Sequence, residues 1–310
     1  MQNLKVVIGI PTFKRPQGLQ RLLESVSKQH TNYSLIVLVA DNEGELGAGH
    51  QVVAKLKAGY PFELLIISVP ERGISQVRNA LLDYAFGFLA ADKLAMIDDD
   101  EIVEPLWIEE LVKMQLQENV DVVGGAVFPE FSETPPKWTE GLNLYWRPIH
   151  KAGRISLIQG TTSVLLNSTV RHKYIGMRFD PEFSMSGGGD KEFFTRLKLA
   201  GASFAFNPNA ISYEYFESSR LTLTWAKQRA YRIGNGDVRI MRKHRLGVAS
   251  WAIEIAKAIS AVVVHSALYV IFFRYEDKKI HAMLKLTRQK GKLNGILGKP
   301  QDVYKNIHGA

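Results

Sequence analysis

Leu94-Ala95-Met96-Ile97-Asp98-Asp99-Asp100-Glu101 runs four apolar residues straight into four acidic ones. An uninterrupted apolar run of this length reads as a strand buried on both faces, because a strand with one wet face would alternate. The carboxylates then stand at that strand's carboxyl end. Carboxylates crowded this closely repel one another unless a cation neutralises them. A hard ion such as Mg2+ or Mn2+, shared between one or two carboxylates and phosphate oxygens, is the matching partner. A solvated acidic turn is the plainer alternative.

Working outward, similar runs lie at 6–10, 35–40, 64–69 and 120–127, separated by helix-period segments at 17–28, 50–57, 75–90 and 107–117. Strand and helix alternating at this spacing predict a doubly wound, Rossmann-like α/β sheet, with ligands outside the carboxyl ends of the strands. After 127 the rhythm breaks. Residues 129–148, rich in Pro and Trp, read as a long loop. Short runs at 163–166, 204–206 and 210–213 extend the sheet in mixed form, and a helix at 190–200 follows Gly187-Gly188-Gly189.

The 310 residues are 46 % hydrophobic and contain no cysteine, which excludes disulfides, thiolate metal sites and cysteine nucleophiles. The opening Met1-Gln2-Asn3-Leu4-Lys5 has no charged n-region or apolar h-region, so no secretory signal is expected. The net charge of +8 is uneven: residues 220–310 carry 18 Lys and Arg against 5 Asp and Glu, the rest 21 against 26. An acidic body with a basic tail favours anionic partners. Within that tail, 256–273 is apolar but contains Lys257 and His265. A charge inside a bilayer span costs a few kcal/mol, so the segment reads as a helix lying in the membrane interface, followed by the cationic stretch 274–292. A hairpin helix buried on the body and a single span are the alternatives.

Other strand ends carry candidates too. Ile10-Pro11-Thr12-Phe13-Lys14-Arg15-Pro16 brings a basic pair that suits phosphates. Asp41, in Ala40-Asp41-Asn42, can accept from the N–H edge of a base or cap the next helix. Arg78, in the helix opened by Gly73, faces a nucleotide or makes a surface ion pair. Asp190 is either a general base or a helix cap.

Pro11-Thr12-Phe13, Ala40-Asp41-Asn42, Arg78-Asn79, Asp98-Asp99-Asp100 and Gly189-Asp190-Lys191-Glu192 occur in an order and spacing that resembles the inverting family-two glycosyltransferases of the GT-A fold, over residues 4 to 235. Pro136-Lys137-Trp138, Ser186-Gly187-Gly188 and Arg229, Arg232 and Gly234 resemble bacterial exopolysaccharide glucosyltransferases of the succinoglycan type. The resemblance implies a GT-A domain at 1–235 and a helical, basic, membrane-associating extension at 236–310. It implies that Pro11, Thr12, Phe13, Arg15 and Asp41 hold the nucleotide, with Arg78 nearby. Asp98 and Asp100 would serve the metal, Mg2+ or Mn2+, with Asp98 and Asp99 also on the nucleotide-sugar. Arg229 and Arg232 would neutralise the diphosphate, Trp138 would lie in the acceptor region, and Asp190 would be the catalytic base. Ser163 is a candidate for donor discrimination.

The implied activity is inverting, metal-dependent transfer of a hexose, glucose, from a UDP-sugar to a hydroxyl of a lipid-linked or growing polysaccharide. It would take place at the inner face of the cytoplasmic membrane, with no nucleic-acid partner. A nucleotidyltransferase would need a glycine-rich loop that 11–16 lacks. A membrane-associated polyanion-binding scaffold stays open. So does a homologue that binds donor without turnover, since Gly189 and Tyr213 stand where the family usually has Glu and His.

Overall fold

Strands β1 (Lys5–Thr12), β2 (Ser34–Asp41), β3 (Glu63–Ser68) and β4 (Lys93–Met96) lie parallel in the order β3-β2-β1-β4. The structure is a computed structural model and describes residues 4–184, 186–244 and 247–298. Helices α1 (Pro16–Val26), α2 (Ala48–Lys57) and α3 (Ile74–Asp83) make the crossovers. Pro11 is tolerated in a central strand because the pairing of β1 with β4 ends at Gly9, so no ladder bond is lost on that side. The helix expected to reach residue 90 leaves α-geometry at Asp83 and finishes as a π-type turn, Tyr84–Phe88.

Beyond the acidic run the sheet is mixed, as expected. It adds β5 (Glu101–Val103), α4 (Trp107–Glu118), β6 (Val122–Phe131), β7 (Gly153–Ile155), β8 (Val164–Asn167), α5 (Thr169–Lys173), α6 (Gly189–Leu199) and β9 (Phe204–Phe216). The order is β3-β2-β1-β4-β8-β6-β9-β5, with β7 beside β9. Strand β8 enters antiparallel between β4 and β6. Two readings change. Strand β6 runs to Phe131, into the stretch read as loop, which also holds the 3-10 turn Lys137–Thr139. The two short strands after 204 are one, β9. Asn207-Pro208-Asn209 looks like a break but is a bulge, where the pairing with β6 slips between Gly125 and Ala126.

Both sheet faces are covered, which is why the strand sequences do not alternate. Ile8, Leu22, Leu23, Trp107 and Leu111 are fully buried on one face, and Leu81, Leu94, Phe193 and Phe194 on the other. Each contributes about 1.5–3 kcal/mol by burial. A third cluster joins Trp138, Tyr145, Phe216 and Trp225 to Ile280 and Leu284.

That cluster ties the C-terminal helices to the body. These are α7 (Leu223–Lys243), α8 (Val248–Ile271) and α9 (Glu276–Ile296). Helix α7 is continuous through 235/236, so the expected domain boundary falls inside a helix shared by both parts. A Cβ at Gly234 would sit 2.0 Å from the Arg288 carbonyl oxygen, and one at Gly291 would sit 2.1 Å from that of Tyr231. Helices α7 and α9 therefore touch backbone to backbone, which only glycine permits. Helix α8 behaves differently. It begins earlier than the apolar stretch indicated, and Trp251–Ile271 is long and apolar enough to cross a bilayer, yet only 6 % of the span is buried. The hairpin buried on the body is not what the chain forms. The last part of the expected extension, 299–310, lies outside the described residues.

Candidate active site

The end of β1, the acidic run after β4 and the start of α6 are brought together around one partly open cleft, with Asp98 and Asp190 each about a quarter exposed. The acidic run turns there between β4 and β5, and its three aspartates are held by Thr12, Arg15, Arg78 and Arg220 in different combinations. Thr12 donates its hydroxyl to Asp99 at 2.8 Å. Arg15 bridges Asp99 at 3.2 Å and Asp100 at 3.0 Å. Arg220, just ahead of α7, donates to Asp100 at 2.9 Å. Arg78 of α3 bonds Asp98 at 3.1 Å with one nitrogen and Asp190 with the other. Thr161 donates to the second oxygen of Asp190 at 3.1 Å. One buried guanidinium therefore joins the acidic run to the carboxylate of α6.

The approach to Asp190 depends on local backbone. Gly187 (φ 78°) and Gly188 (φ 90°) adopt left-handed conformations that cost most residues about 1–2 kcal/mol. The chain thus turns sharply into α6 and sets Asp190 in the first turn, where the helix dipole favours a negative charge. Asn79 fixes the lead-in by exchanging two hydrogen bonds of 2.8 Å with the backbone of Phe179.

Beneath the run, Glu101 lies opposite Glu214 in the antiparallel pairing of β5 with β9. Arg147 reaches Glu214 at 2.6 Å and also bonds Thr162. Burial pushes the carboxyls of Asp98 and Glu101 above their ordinary range, Glu101 well above, with Asp98 further raising Glu101. Asp99 is pushed up to about 6, mainly by burial. Asp100 moves the other way: burial raises it, but Arg220 and Arg15 outweigh that and hold it below the usual carboxylate range.

These groups suit a divalent ion. Both oxygens of Glu101 are buried without a hydrogen-bond partner among the described residues, and a buried carboxylate left in that state is stabilised by a nearby cation. All candidate ligands are hard oxygens, as Mg2+ and Mn2+ require. Among the described residues no three His, Asp or Glu side chains form a ready cage, so phosphate oxygens would have to complete the shell. Tyr213 pairs with Ile102 and faces Phe128 and Glu104, on the opposite face from Glu214, and brings no ligand to the cluster.

Other expected residues fall in less open positions. Asp41 is buried. Its Oδ1 accepts from the Glu43 backbone at 2.8 Å, and its Oδ2 is cradled where a Cβ at Gly47 or Gly49 would come within 2.5 Å. It thus orders the β2–α2 turn. Phe13 lies under the Arg72 guanidinium, 4.0 Å from ring centroid to charge. Ser163 is fully buried at φ 50°, its hydroxyl taking the Trp107 indole N–H at 2.8 Å, so it does not line the cleft. Trp138 packs inside the third cluster against Tyr145, and its carbonyl bonds His281 at 2.7 Å. Arg229 is close to Glu214, and burial together with the neighbouring Arg232, Arg147 and Arg220 lowers its pKa. Arg232 lies against Gly187. Arg147, Thr161, Glu214 and Arg220 were not singled out from the sequence as site residues, since no spacing motif marks them.

The sequence profile of glycosyl transferase family 2 matches residues 7–169. Succinoglycan biosynthesis protein ExoM of Rhizobium meliloti is 30 % identical over 304 residues, 96 % of this chain and 94 % of that protein. Glucosyl-dolichyl phosphate glucuronosyltransferase of Haloferax volcanii is 29 % identical over 147 residues, 46 % of this chain and 44 % of that one. Among solved structures, the mannosyltransferase PcManGT from Pyrobaculum calidifontis in complex with GDP-Man and Mn2+ superposes with a TM-score of 0.64 at 15 % identity, covering 95 % of this chain and 88 % of its own. TarS of S. aureus in complex with UDP-GlcNAc does so at 0.53 and 12 %, covering 98 % of each chain. The fold is that of GT-A glycosyltransferases, with added C-terminal helices. The chain belongs to glycosyl transferase family 2.

Proposed function

We propose that the chain transfers a hexose, glucose first among those to test, from a UDP-sugar to a hydroxyl of a lipid-linked or growing polysaccharide, with inversion. The observation that carries this is Arg78 holding Asp98 and Asp190 at once. The donor-side carboxylate and the candidate base are one guanidinium apart, the separation a donor and an incoming hydroxyl must share. The ExoM relative and the UDP-GlcNAc complex of TarS support the class of substrate.

In a single displacement the acceptor oxygen attacks the anomeric carbon, the bond to the diphosphate oxygen breaks, and an α-linked donor gives a β-linked product. Asp190 takes the hydroxyl proton on a carboxylate oxygen that Arg78 and Thr161 keep oriented, a contribution of about 10²–10⁴-fold. Arg229 and Arg232 offset charge on the departing diphosphate. Asp98 and Asp100 would hold Mg2+ or Mn2+, which supplies Lewis-acid stabilisation of that leaving group. Thr12, Asp99 and Arg15 form the floor under the nucleotide. Pro11 and Phe13 shape its rim and Asp41 orders the adjoining turn. A screen of UDP-hexoses with purified protein and Mn2+, reading UDP release with and without a saccharide acceptor, tests the reading. Acceptor-dependent release with UDP-glucose is expected, and no release with any UDP-hexose overturns it.

The exposed apolar face of α8 supports an inner-membrane surface as the site of work. Ile259, Val263 and Val270 are each more than half exposed, and Arg274, Lys278, Lys285 and Lys290 are exposed on the following segment. Apolar burial and cationic attraction to anionic lipid add in such an arrangement. Replacing Val263 and Val270 together by Asp should weaken co-sedimentation with anionic vesicles about tenfold or more. Unchanged sedimentation would argue against this face.

A further inference from the structure

Lys191 directly follows the proposed base, and its ammonium crosses to α7, where it meets Asp237 Oδ1 at 2.7 Å. The other oxygen of Asp237 accepts from Arg288 of α9, also at 2.7 Å. Asp237 is 11 % exposed; burial pushes its carboxyl up, but Lys191 and Arg288 outweigh that and hold it below its ordinary value. The group is thus a charged carboxylate with both oxygens engaged, joining three helices.

Helix α9 has little freedom to move alone. The glycine contacts at Gly234 and Gly291 lock its backbone to α7. Lys292 ties it to Glu254 of α8 at 3.3 Å. A continuous line of contacts therefore runs from the uncovered helix α8, through α9 and Asp237, to the residue beside Asp190. Packed backbones transmit displacement because they cannot compress. At the far end, α6 starts from two left-handed glycines, backbone that accommodates small rotations of the helix. Asp190 is thus held from two sides: by Arg78 and Thr161 in the cleft, and through Lys191 from the C-terminal helices.

We propose that Asp237 is a positioning residue that couples the seating of α8 on an anionic bilayer to the placement of α6 and hence of Asp190. This rests on the transferase and membrane-surface readings above. The surface can favour one placement of α6 only through contacts that differ between placements, and the Lys191–Asp237–Arg288 bridge is such a contact. The bridge adds no group to the reacting atoms.

The test uses the full chain with phosphatidylglycerol vesicles, and phosphatidylcholine vesicles as control. Two quantities are read: kcat for UDP release, and amide hydrogen exchange across Gly189–Leu199. With anionic vesicles the unmodified chain should gain about fivefold in kcat, the lower end of ordinary coupling between sites, and its α6 amides should exchange more slowly. Asp237→Asn should sediment with vesicles as before and keep its KM for donor, yet lose both the gain and the exchange change; Asp237→Glu should restore part of each. Lys191→Met cuts the same link from α6, at a side chain more exposed than Asp237, and must reproduce the loss, which covers the case of a poorly folded Asp237→Asn. Vesicle-dependent exchange in α6 that survives both substitutions, or α6 exchange unaffected by anionic vesicles in the unmodified chain, overturns the proposal. Coupled exchange that vanishes in the variants, without sugar transfer from any donor, upholds the coupling and sinks the transferase reading instead.

Discussion

Asp190→Asn is expected to lower kcat by about 10²–10⁴-fold, the range for removing a positioned general base, with little change in UDP affinity. The substitution is close to isosteric. The amide oxygen can still accept from Arg78 or Thr161, which bond the two carboxylate oxygens in the native chain, so the turn into α6 should persist. What disappears is the ability to take a proton from the acceptor hydroxyl. The effect should therefore appear in kcat, and titration of UDP by calorimetry should be nearly superimposable on the native curve. Near-native turnover in Asp190→Asn would show that the base lies elsewhere.

Asp100→Ala should be nearly as damaging, by a different route. Loss of charge stabilisation on a leaving group costs about 10²–10³-fold in kcat for a single removed electrostatic contact. The native carboxylate also neutralises Arg15 and Arg220. Without it Arg220 would be left with Glu214, 3.8 Å away, so some loss of thermal stability accompanies the loss of rate. Asp100→Asn, which retains hydrogen bonding, separates the two effects: stability should largely recover while rate does not. In the native chain turnover should climb with added Mn2+ and fall with a chelator, and in both variants that dependence should flatten. Full activity of the native chain in excess chelator would remove the metal from the scheme.

How much of this was legible beforehand depended on the range of the interactions. The parallel strands were visible because burial on both faces writes an unbroken apolar run into local sequence, as in Ile36-Val37-Leu38-Val39. Thr12 and the Asp98–Asp100 run were visible because they sit at strand ends next to such runs, and Arg78 and Asp190 because their motifs lie near the starts of helices opened by glycine. Arg147 and Arg220 were not, because one comes from irregular chain and the other from a short 3-10 turn, and they find their carboxylates 67 and 120 residues away. Asn207-Pro208-Asn209 has the composition of a turn and divides β9 in sequence, whereas the bulge that absorbs it exists only against β6.

Burial of a single side chain is not written in local spacing. Ser163, a candidate for donor discrimination, and Trp138, which follows the family pattern, are both turned inward by their surroundings, Ser163 under the Trp107 indole and Trp138 under α9. By itself, then, the sequence determined the alternation of strands and helices, the charge asymmetry and the line of acidic and basic residues at strand ends, since periodicity and motif spacing are properties of neighbouring residues. Only the tertiary structure decided which arginine neutralises which aspartate, that α7 and α9 form part of the body while α8 is left uncovered, and that Asp237 links them to α6. Those outcomes depend on distances between segments far apart in the chain, and packing alone sets such distances.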